Sequence, residues 1–142
     1  TRELAEKIIA IRNQQSKTPP ILVKIAPDLD EIELHSIIEA LMEAKIDGVI
    51  ATNTTISRPA LSSPNAKMQG GLSGKPLTEK STDIIKKVYK LTEGKLPIIG
   101  VGGIFTAEDA KEKLDSGASL VQVYTGLIYE VPKIVQNICS GL

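Results

Sequence analysis

Polar residues and glycines stand at four places where a short apolar run of the sequence ends, and these positions are the best suited to chemistry. Lys24 lies near the end of the first run, and Thr52-Asn53-Thr54-Thr55 closes the second. Gly100-Val101-Gly102-Gly103 ends the third run, and Tyr124-Thr125 ends the fourth. Together they offer a cation, an amide, several hydroxyls and backbone N–H groups, a set that suits a ligand carrying anionic and amide groups.

Lys24 and the Thr52–Thr55 segment each have two interpretations. The Lys24 ammonium can meet an anion or an electron-rich ring, or it can reach the rim of the sheet and pair with Asp28. Asn53 can hold the amide or carboxylate of a ligand, or the segment can form an Asx or Ser/Thr turn that satisfies only the loop backbone. The residue types alone leave both alternatives open.

Two glycine-rich segments fail the tests for nucleotide-binding motifs. The segment 70–75 leads into Pro76, where a Walker A motif needs Ser or Thr to bind magnesium. The segment 100–103 lacks the third glycine of a dinucleotide fingerprint, because Phe105 stands there. Both can still present N–H groups to a single phosphate, and Tyr124-Thr125 offers a hydroxyl after the next strand. We therefore predict a phosphate site.

The elements that must position these residues follow an α-βα-βα-βα-βα pattern. Alternating apolar runs and helical patterns predict a parallel sheet with right-handed crossovers, helices on the outside and functional residues at the carboxyl ends of the strands. The first apolar run is nearly unbroken, which predicts a first strand buried on both faces. The four strands are predicted over residues 21–26, 48–53, 97–103 and 119–125. Two architectures compete: an open doubly wound sheet, or four consecutive units of a (β/α)8 TIM barrel, which takes about 250 residues.

Helical periodicity predicts which residues pack on the sheet. We expect a first helix over 2–14 that buries Leu4, Ile8 and Ile11. One last helix is expected after the fourth strand, with Val131, Ile134, Val135 and Ile138 on one face and Cys139 as a small apolar filler. The second helix should bury Leu34, Ile37, Ile38 and Leu41, with Asp28 and Asp30 at its capped start.

One connection is far longer than its neighbours. Residues 54–77 are rich in Ser, Pro, Gly and Asn, and βα loops usually take about two to six residues. Loops of such length in compact domains are commonly functional. The third helix follows it, and Thr106 with Asp109 forms a capping-box pattern at the start of the fourth.

The composition excludes several classes of protein. The 142 residues carry 17 Lys and Arg against 17 Asp and Glu, and 42% are hydrophobic, so disorder and a basic surface for nucleic acid are not expected. No apolar stretch approaches the roughly 18 residues of a membrane span. A single cysteine and a single histidine exclude an internal disulfide and a structural zinc site, and no metal is expected. The helical pattern is already under way at Thr1, so we expect the chain to be part of a longer protein.

Several motifs resemble the carboxyl-terminal half of class 2 dihydroorotate dehydrogenases. They are Val23 to Leu29, Thr52 to Thr55 with Ser57-Arg58-Pro59, Gly70 to Pro76, Pro97 to Gly103, and Ala118 to Thr125. They occur in order over essentially the whole chain. The resemblance implies that residues 1–142 are one unit, the last four βα units of a TIM barrel that binds flavin mononucleotide (FMN). It implies oxidation of (S)-dihydroorotate to orotate in pyrimidine biosynthesis, with electrons passed to a quinone.

The resemblance also implies roles for individual residues. Lys24 matches a lysine at the flavin ring, where a cation stabilises the anionic reduced flavin, and Thr52 matches another flavin contact. Asn53 and Thr54 match residues that hold the substrate. The remaining flavin contacts implied, to phosphate and ribityl groups, are Ser73, Gly74, Gly102, Gly103, Tyr124 and Thr125.

Some family features are expected outside this chain. The base that removes the substrate proton is a serine in a loop upstream of Thr1, so no catalytic residue is assigned here. Ser62-Ser63-Pro64-Asn65 resembles that loop, but Ala60 replaces its leading asparagine, and we assign Ser63 no catalytic role. Val131 replaces a common glycine of the family. The missing half-barrel, the quinone-binding helices and association with a bacterial or mitochondrial inner membrane are likewise implied by the resemblance alone.

Two other functions remain open. A different phosphate-binding barrel enzyme without flavin would share the Gly102-Gly103 and Tyr124-Thr125 features. Alternatively the chain by itself is a non-catalytic half-barrel with two unpaired strand edges.

Overall fold

The structure is a computed structural model, and it describes residues 2–58, 61–130 and 132–142. The segment Pro59-Ala60 and Val131 lie outside the described residues. The predictions made for those positions therefore receive no structural account.

The described chain contains six α-helices, four strands and two short 3-10 helices. The strands are β1 (Leu22–Ile25), β2 (Gly48–Ala51), β3 (Ile98–Val101) and β4 (Leu120–Gln122). The helices are α1 (Arg2–Asn13), α2 (Glu31–Glu43), α3 (Thr78–Leu91), α4 (Ala107–Asp115), α5 (Thr125–Tyr129) and α6 (Ile134–Gly141), with η1 (Pro64–Lys67) and η2 (Lys75–Leu77) in the long connection. Within the described ranges, no helix has both the length and the apolar character needed to cross a membrane.

The sheet topology decides between the two architectures. All strand pairs are parallel, and the spatial order β1-β2-β3-β4 follows the chain order. A doubly wound sheet reverses its direction at a switch point, whereas every crossover here moves to the next strand in the same direction. Right-handed crossovers of that kind place the helices on one side of the sheet. The prediction of four βα units of a (β/α)8 barrel is confirmed.

The two faces of the sheet differ sharply. One face packs against the helices through the buried residues Val49, Ala51 and Ile98. A row of paired positions on the other face consists of Lys24, Ile50, Ile99 and Leu120. Lys24 and Leu120 are exposed there, and Leu120 keeps 62% of its surface. The prediction that the first strand is buried on both faces is therefore wrong at Lys24. This row corresponds to the interior of a barrel.

Helical packing follows the predictions in the middle of the chain and departs from them at both ends. In α2, Leu34, Ile38 and Leu41 are buried as predicted. In α1 the predicted stripe is wrong, because Leu4, Ile8 and Ile11 are exposed. Ala5 and Ile9 contact the core instead, since α1 packs on α2 with the side adjacent to that stripe.

The sequence predicts one helix after the fourth strand, and the structure has two, α5 and α6. Ile134 and Ile138 of α6 are buried, whereas Val135 is 55% exposed. Cys139 is exposed, so its interpretation as a core filler is also wrong. A proline at position 132 cannot continue the hydrogen bonding of α5, which explains the break before α6.

Side-chain caps fix the starts of α2 and α4. Asp30 accepts a hydrogen bond from the Glu33 N–H and Thr106 accepts one from the Asp109 N–H, each in a full capping box. The prediction for Thr106 is confirmed. Asp28, the other cap candidate for α2, is engaged elsewhere, as described below.

Candidate functional site

A cavity of about 300 Å³ opens at the carboxyl ends of the four strands. All ten residues predicted to hold ligands line it: Lys24, Thr52, Asn53, Thr54, Ser73, Gly74, Gly102, Gly103, Tyr124 and Thr125. The position is where parallel α/β folds carry their sites, because loops after neighbouring strands converge there. The contact of each residue with a ligand stays a prediction.

The cavity also contains residues that the sequence reasoning missed. They are Leu77, Val101, Ile104, Gln122 and Gly126. Gln122 is the informative one, since it interrupts an apolar strand near its carboxyl end as Lys24 does. Applying the same criterion to β4 would have found it.

Lys24 faces the cavity from the open side of the sheet. The alternative in which Lys24 pairs with Asp28 is not what the structure shows, because Asp28 bonds to Lys80 and Thr55. Among the described residues, Lys24 forms no ion pair. Its charge is therefore available to a ligand in the cavity.

Asn53 and Thr52 are held by backbone bonds that continue the sheet. The Thr52 N–H donates to the Val101 carbonyl (2.9 Å), and the Asn53 N–H donates to the Ile25 carbonyl (2.8 Å). Thr52 is buried, and the peptide bond between Ala51 and Thr52 is cis. The Asn53 amide oxygen accepts a hydrogen bond from the Thr54 N–H at 2.9 Å, which is the kind of local contact that the turn interpretation predicts. Its amide nitrogen is left for a second partner.

The long connection returns to the cavity and forms one corner of it. Thr55 and Leu72 exchange backbone hydrogen bonds of 3.0 and 2.8 Å, which closes the base of the loop. Ser73 then reaches the start of α5, where the Thr125 hydroxyl donates to Ser73 Oγ at 2.9 Å. Two hydroxyls therefore meet at the point where the sequence predicts a phosphate.

The Gly102–Gly103 turn forms the opposite side of this corner. The Gly102 carbonyl accepts a hydrogen bond from Ser81 Oγ at 3.1 Å, and the Gly103 carbonyl accepts one from Thr78 Oγ1 at 3.0 Å. Both glycines have positive φ, and a Cβ on Gly103 would lie 1.9 Å from Thr78 Oγ1. Within residues 2–58, 61–130 and 132–142, the N–H groups of this turn have no hydrogen-bond acceptor. The turn thus directs its carbonyls to α3 and leaves its N–H groups for a ligand.

Asp28 anchors the loop beside the cavity. Its carboxylate accepts hydrogen bonds from Thr55 Oγ1 (2.5 Å), the Ile56 N–H (2.9 Å) and Lys80 Nζ. Burial alone would raise the pKa of Asp28, but the bonds from Lys80, Thr55 and the Ile56 backbone outweigh burial and lower it. The carboxylate is therefore ionised and serves the scaffold of the site.

Ser63 lies apart from this site. It caps η1, with its hydroxyl accepting from the Asn65 N–H at 3.2 Å, and it lines a separate depression within the long loop. The geometry gives Ser63 no place beside Lys24 and Asn53.

Comparisons with known proteins identify the relatives of this chain. A family model described as Dihydroorotate dehydrogenase matches residues 1–142. Dihydroorotate dehydrogenase (quinone) of Trichodesmium erythraeum is 51% identical over all of this chain and 40% of its own length. The protein of the same name from Christiangramia forsetii is 59% identical over 89% of the chain and 38% of its own length.

A solved structure shows the same arrangement. The crystal structure of DHODH in complex with ferulenol from Eimeria tenella superposes with a TM-score of 0.86 and 44% identity, covering 91% of this chain and 34% of that one. The chain thus spans about two fifths of the length of the curated relatives it matches.

Proposed function

Because the chain belongs to the dihydroorotate dehydrogenase family, we propose that it is part of an enzyme that oxidises (S)-dihydroorotate to orotate and passes the electrons to a quinone. In this proposal the chain is the carboxyl-terminal half of the barrel, residues 1–142 forming one unit. The remaining strands pair with the edges of β1 and β4.

The observation that carries the proposal is the gathering of the ten predicted residues around one cavity. They come from four separate strand ends and from the long loop. Their types provide a cation, an amide and a corner of hydroxyls and N–H groups, which are the partners of a ring, a substrate and a phosphate.

The residues present fit FMN as the cofactor. Ser73, Thr125 and the N–H groups of the Gly102–Gly103 turn form a neutral donor set for a phosphate monoester, and Tyr124 and Gly74 adjoin it. Lys24 lies on the same wall, at a different strand end. When bound, FMN supplies the oxidant that accepts the hydride removed from dihydroorotate.

In this proposal, the chain's own residues bind and orient the cofactor and the substrate. The Lys24 ammonium stabilises negative charge that develops beside it, more strongly once a ligand excludes water from the cavity. The Asn53 amide offers a donor and an acceptor to the ring amides and carboxylate of the substrate, and Thr54 adds a hydroxyl. Gly102 and Gly103 hold the phosphate through backbone donors.

Other parts of the reaction are assigned to the rest of the protein. The serine that removes the substrate proton belongs to the other half-barrel, in keeping with the position of Ser63 away from the cavity. Quinone binding and association with the inner membrane belong to the region that precedes the barrel.

Absorbance spectroscopy of the purified full-length protein tests the proposal. We expect a yellow protein whose released cofactor is phosphorylated, and whose visible absorbance is bleached by dihydroorotate without oxygen. A colourless protein that still binds phosphate would contradict the flavin assignment and favour another phosphate-binding barrel enzyme.

An Asn53→Ala variant tests the substrate site separately. Because Asn53 is assigned to substrate, the variant should keep its flavin while requiring at least tenfold more dihydroorotate for half-maximal bleaching. Asn65→Ala is the matched control, since Asn65 lies on η1 in the other depression. Equal substrate dependence in both variants would remove Asn53 from the site.

A further inference from the structure

A lysine outside the cavity is buried, and none of the residues that the structure describes forms a salt bridge with it. Lys113 on α4 has 0% of its surface exposed. Its ammonium donates to the Thr78 carbonyl (2.7 Å), to Ser81 Oγ (2.7 Å) and to Thr82 Oγ1. All three donors are used, and all three acceptors are uncharged parts of α3.

Burying an ammonium group costs free energy. A buried lysine without a carboxylate partner therefore points to a role that a neutral side chain could not fill. An ammonium removed from water loses several kcal/mol of solvation, on the order estimated for buried ions, and neutral acceptors recover only part of it. Burial lowers the pKa of Lys113 to about 8, so the charged form still predominates at pH 7. An apolar residue would fill the same space at less cost.

The acceptors of Lys113 connect it to the Gly102–Gly103 turn. Ser81 Oγ accepts from Lys113, so its own proton is left to donate, and it lies 3.1 Å from the Gly102 carbonyl oxygen and 3.2 Å from the Thr78 carbonyl oxygen. The Thr78 carbonyl already accepts from Lys113 Nζ and Thr82 Oγ1, so we assign the Ser81 proton to the Gly102 carbonyl. Thr78 Oγ1 bonds the Gly103 carbonyl from the same turn of α3. The buried cation therefore bonds the Ser81 hydroxyl directly, and it bonds the backbone carbonyl of Thr78, whose hydroxyl contacts the Gly103 carbonyl.

We propose that Lys113 is a positioning residue for the phosphate corner: through Ser81 and Thr78 it fixes the Gly102–Gly103 turn with its N–H groups toward the cavity. The inference deepens the proposed function, on which it rests for the identity of the phosphate. Lys113 itself does not touch the ligand. Its positive charge, one hydroxyl away from the turn, also favours an anion bound there.

Two hydroxyl variants of the full-length protein separate this role from ordinary packing. Ser81→Ala and Thr82→Val each remove one acceptor of Lys113, but of these two hydroxyls only Ser81 bonds the turn. The apoprotein is titrated with FMN and with riboflavin, which lacks the phosphate. We expect Ser81→Ala to reduce the preference for FMN at least tenfold and Thr82→Val to leave it within twofold. Equal preferences in the two variants would overturn the proposal.

Lys113→Met applies the same measurement to the lysine, with Lys111→Met on the exposed side of α4 as the control. The preference for FMN should fall at least tenfold in Lys113→Met only. A parallel loss of FMN and riboflavin binding would mean that Lys113 merely stabilises the fold, and the proposal would be wrong.

A third titration distinguishes failure of the flavin assignment from failure of this inference. If the unmodified protein binds neither flavin, the proposed function fails, and inorganic phosphate becomes the probe. Phosphate that raises the melting temperature of the unmodified protein, but not of Ser81→Ala, would still support Lys113 as a positioning residue. No response to phosphate in the unmodified protein would overturn it.

Discussion

At the scale of single residues, three lysines have different roles because their surroundings differ. Lys24 faces an open cavity, Lys80 bonds the carboxylate of Asp28, and Lys113 is buried among neutral oxygens. The first is available to a ligand, the second holds a loop, and the third orders a turn. Their common ammonium is stabilised by water, by a carboxylate and by dipoles respectively.

Removal of the Lys24 charge should impair turnover more than folding. In the full-length enzyme, Lys24→Met should lower kcat about a hundredfold, the scale of losing one preorganised electrostatic contact. The measurement is steady-state oxidation of dihydroorotate with a quinone analogue, beside a thermal melt. Lys17→Met, an exposed lysine that does not line the cavity, is the control. Unchanged kinetics in Lys24→Met would remove Lys24 from the flavin site.

The lowered pKa of Lys113 predicts a particular dependence of stability on pH. The folded protein releases this proton near pH 8 and the unfolded chain near 10.4, so stability gains from Lys113 as the pH rises between them. The gain is at most roughly 3 kcal/mol for the full shift. Glu112 and Asp109 raise this pKa, and Lys86 lowers it.

Urea unfolding at pH 7.5 and pH 10 measures this effect. The free energy of unfolding of the unmodified protein, relative to Lys113→Met, should increase with pH. Taking the difference cancels the titration of Lys86 and of the other lysines that both proteins share. A constant difference would show that Lys113 has an ordinary pKa, and a decreasing one would show that folding raises its pKa; either result would contradict the prediction.

At the residue scale, the sequence predicted site residues correctly where a residue type is unusual for its secondary-structure element. Lys24 in an apolar strand and glycines at strand ends are anomalies that local patterns reveal. Lys113 gives no such signal, because a lysine in a polar helix is ordinary and its burial depends on α3 being packed against it. Such tertiary burial cannot be read from one helix alone.

At the scale of elements, the long connection 54–77 is fixed at few points. The Thr55–Leu72 backbone pair closes its base, and Arg58 donates to the Thr55 and Gly70 carbonyls across it. Asp28 ties the same base to α3 through Lys80. Since Ser73 follows directly, the anchoring of the loop also places the hydroxyl that faces Thr125.

Asp28→Asn should loosen this loop and lower stability by about 1–3 kcal/mol, because the Lys80 ammonium loses its carboxylate. The pKa of Asp28 is lowered, so its contribution is complete above the ordinary carboxyl pKa near 4 and is lost as the pH falls through the lower folded value. Urea unfolding should therefore show a constant difference between the two proteins from pH 5 to 8 and a smaller one below pH 4.

Limited proteolysis gives the second measurement for this variant, with faster cleavage expected within 54–77. Asp83→Asn, which breaks a surface pair with Lys87, is the control. Equal cleavage of the two variants would show that Asp28 does not anchor the loop.

Periodicity predicted the buried side of a helix correctly where that side packs on the core within this chain. The buried stripe of α2 follows its apolar periodicity because α2 packs between α1 and α3 and over the sheet. In α1 the more apolar side is exposed, so its periodicity predicted the wrong side of the helix to be buried. An apolar stripe indicates that something covers it, and the part of the protein that does so can lie outside this chain.

At the scale of the whole molecule, apolar side chains remain open to solvent on the sheet and on α1. On the open face of the sheet, Leu120 is exposed and Ile50 and Ile99 are half-buried. On α1 the exposed apolar residues are Leu4, Ile8 and Ile11. β1 and β4 each have one strand neighbour in the described residues. Each fully buried leucine or isoleucine contributes roughly 1.5–3 kcal/mol, so covering these surfaces would stabilise the molecule substantially.

The 142-residue chain expressed alone should therefore associate with itself. Light scattering should give a mass at least twice the 15.2 kDa of one chain, because unpaired parallel edges and an apolar sheet face favour pairing. Leu120→Lys on the open face should shift the population toward monomer, whereas Ile32→Lys, at an 83% exposed position of α2, should not. A monomer that unfolds cooperatively would instead mean that the half-barrel is complete in itself, and that the open sheet face is compatible with water.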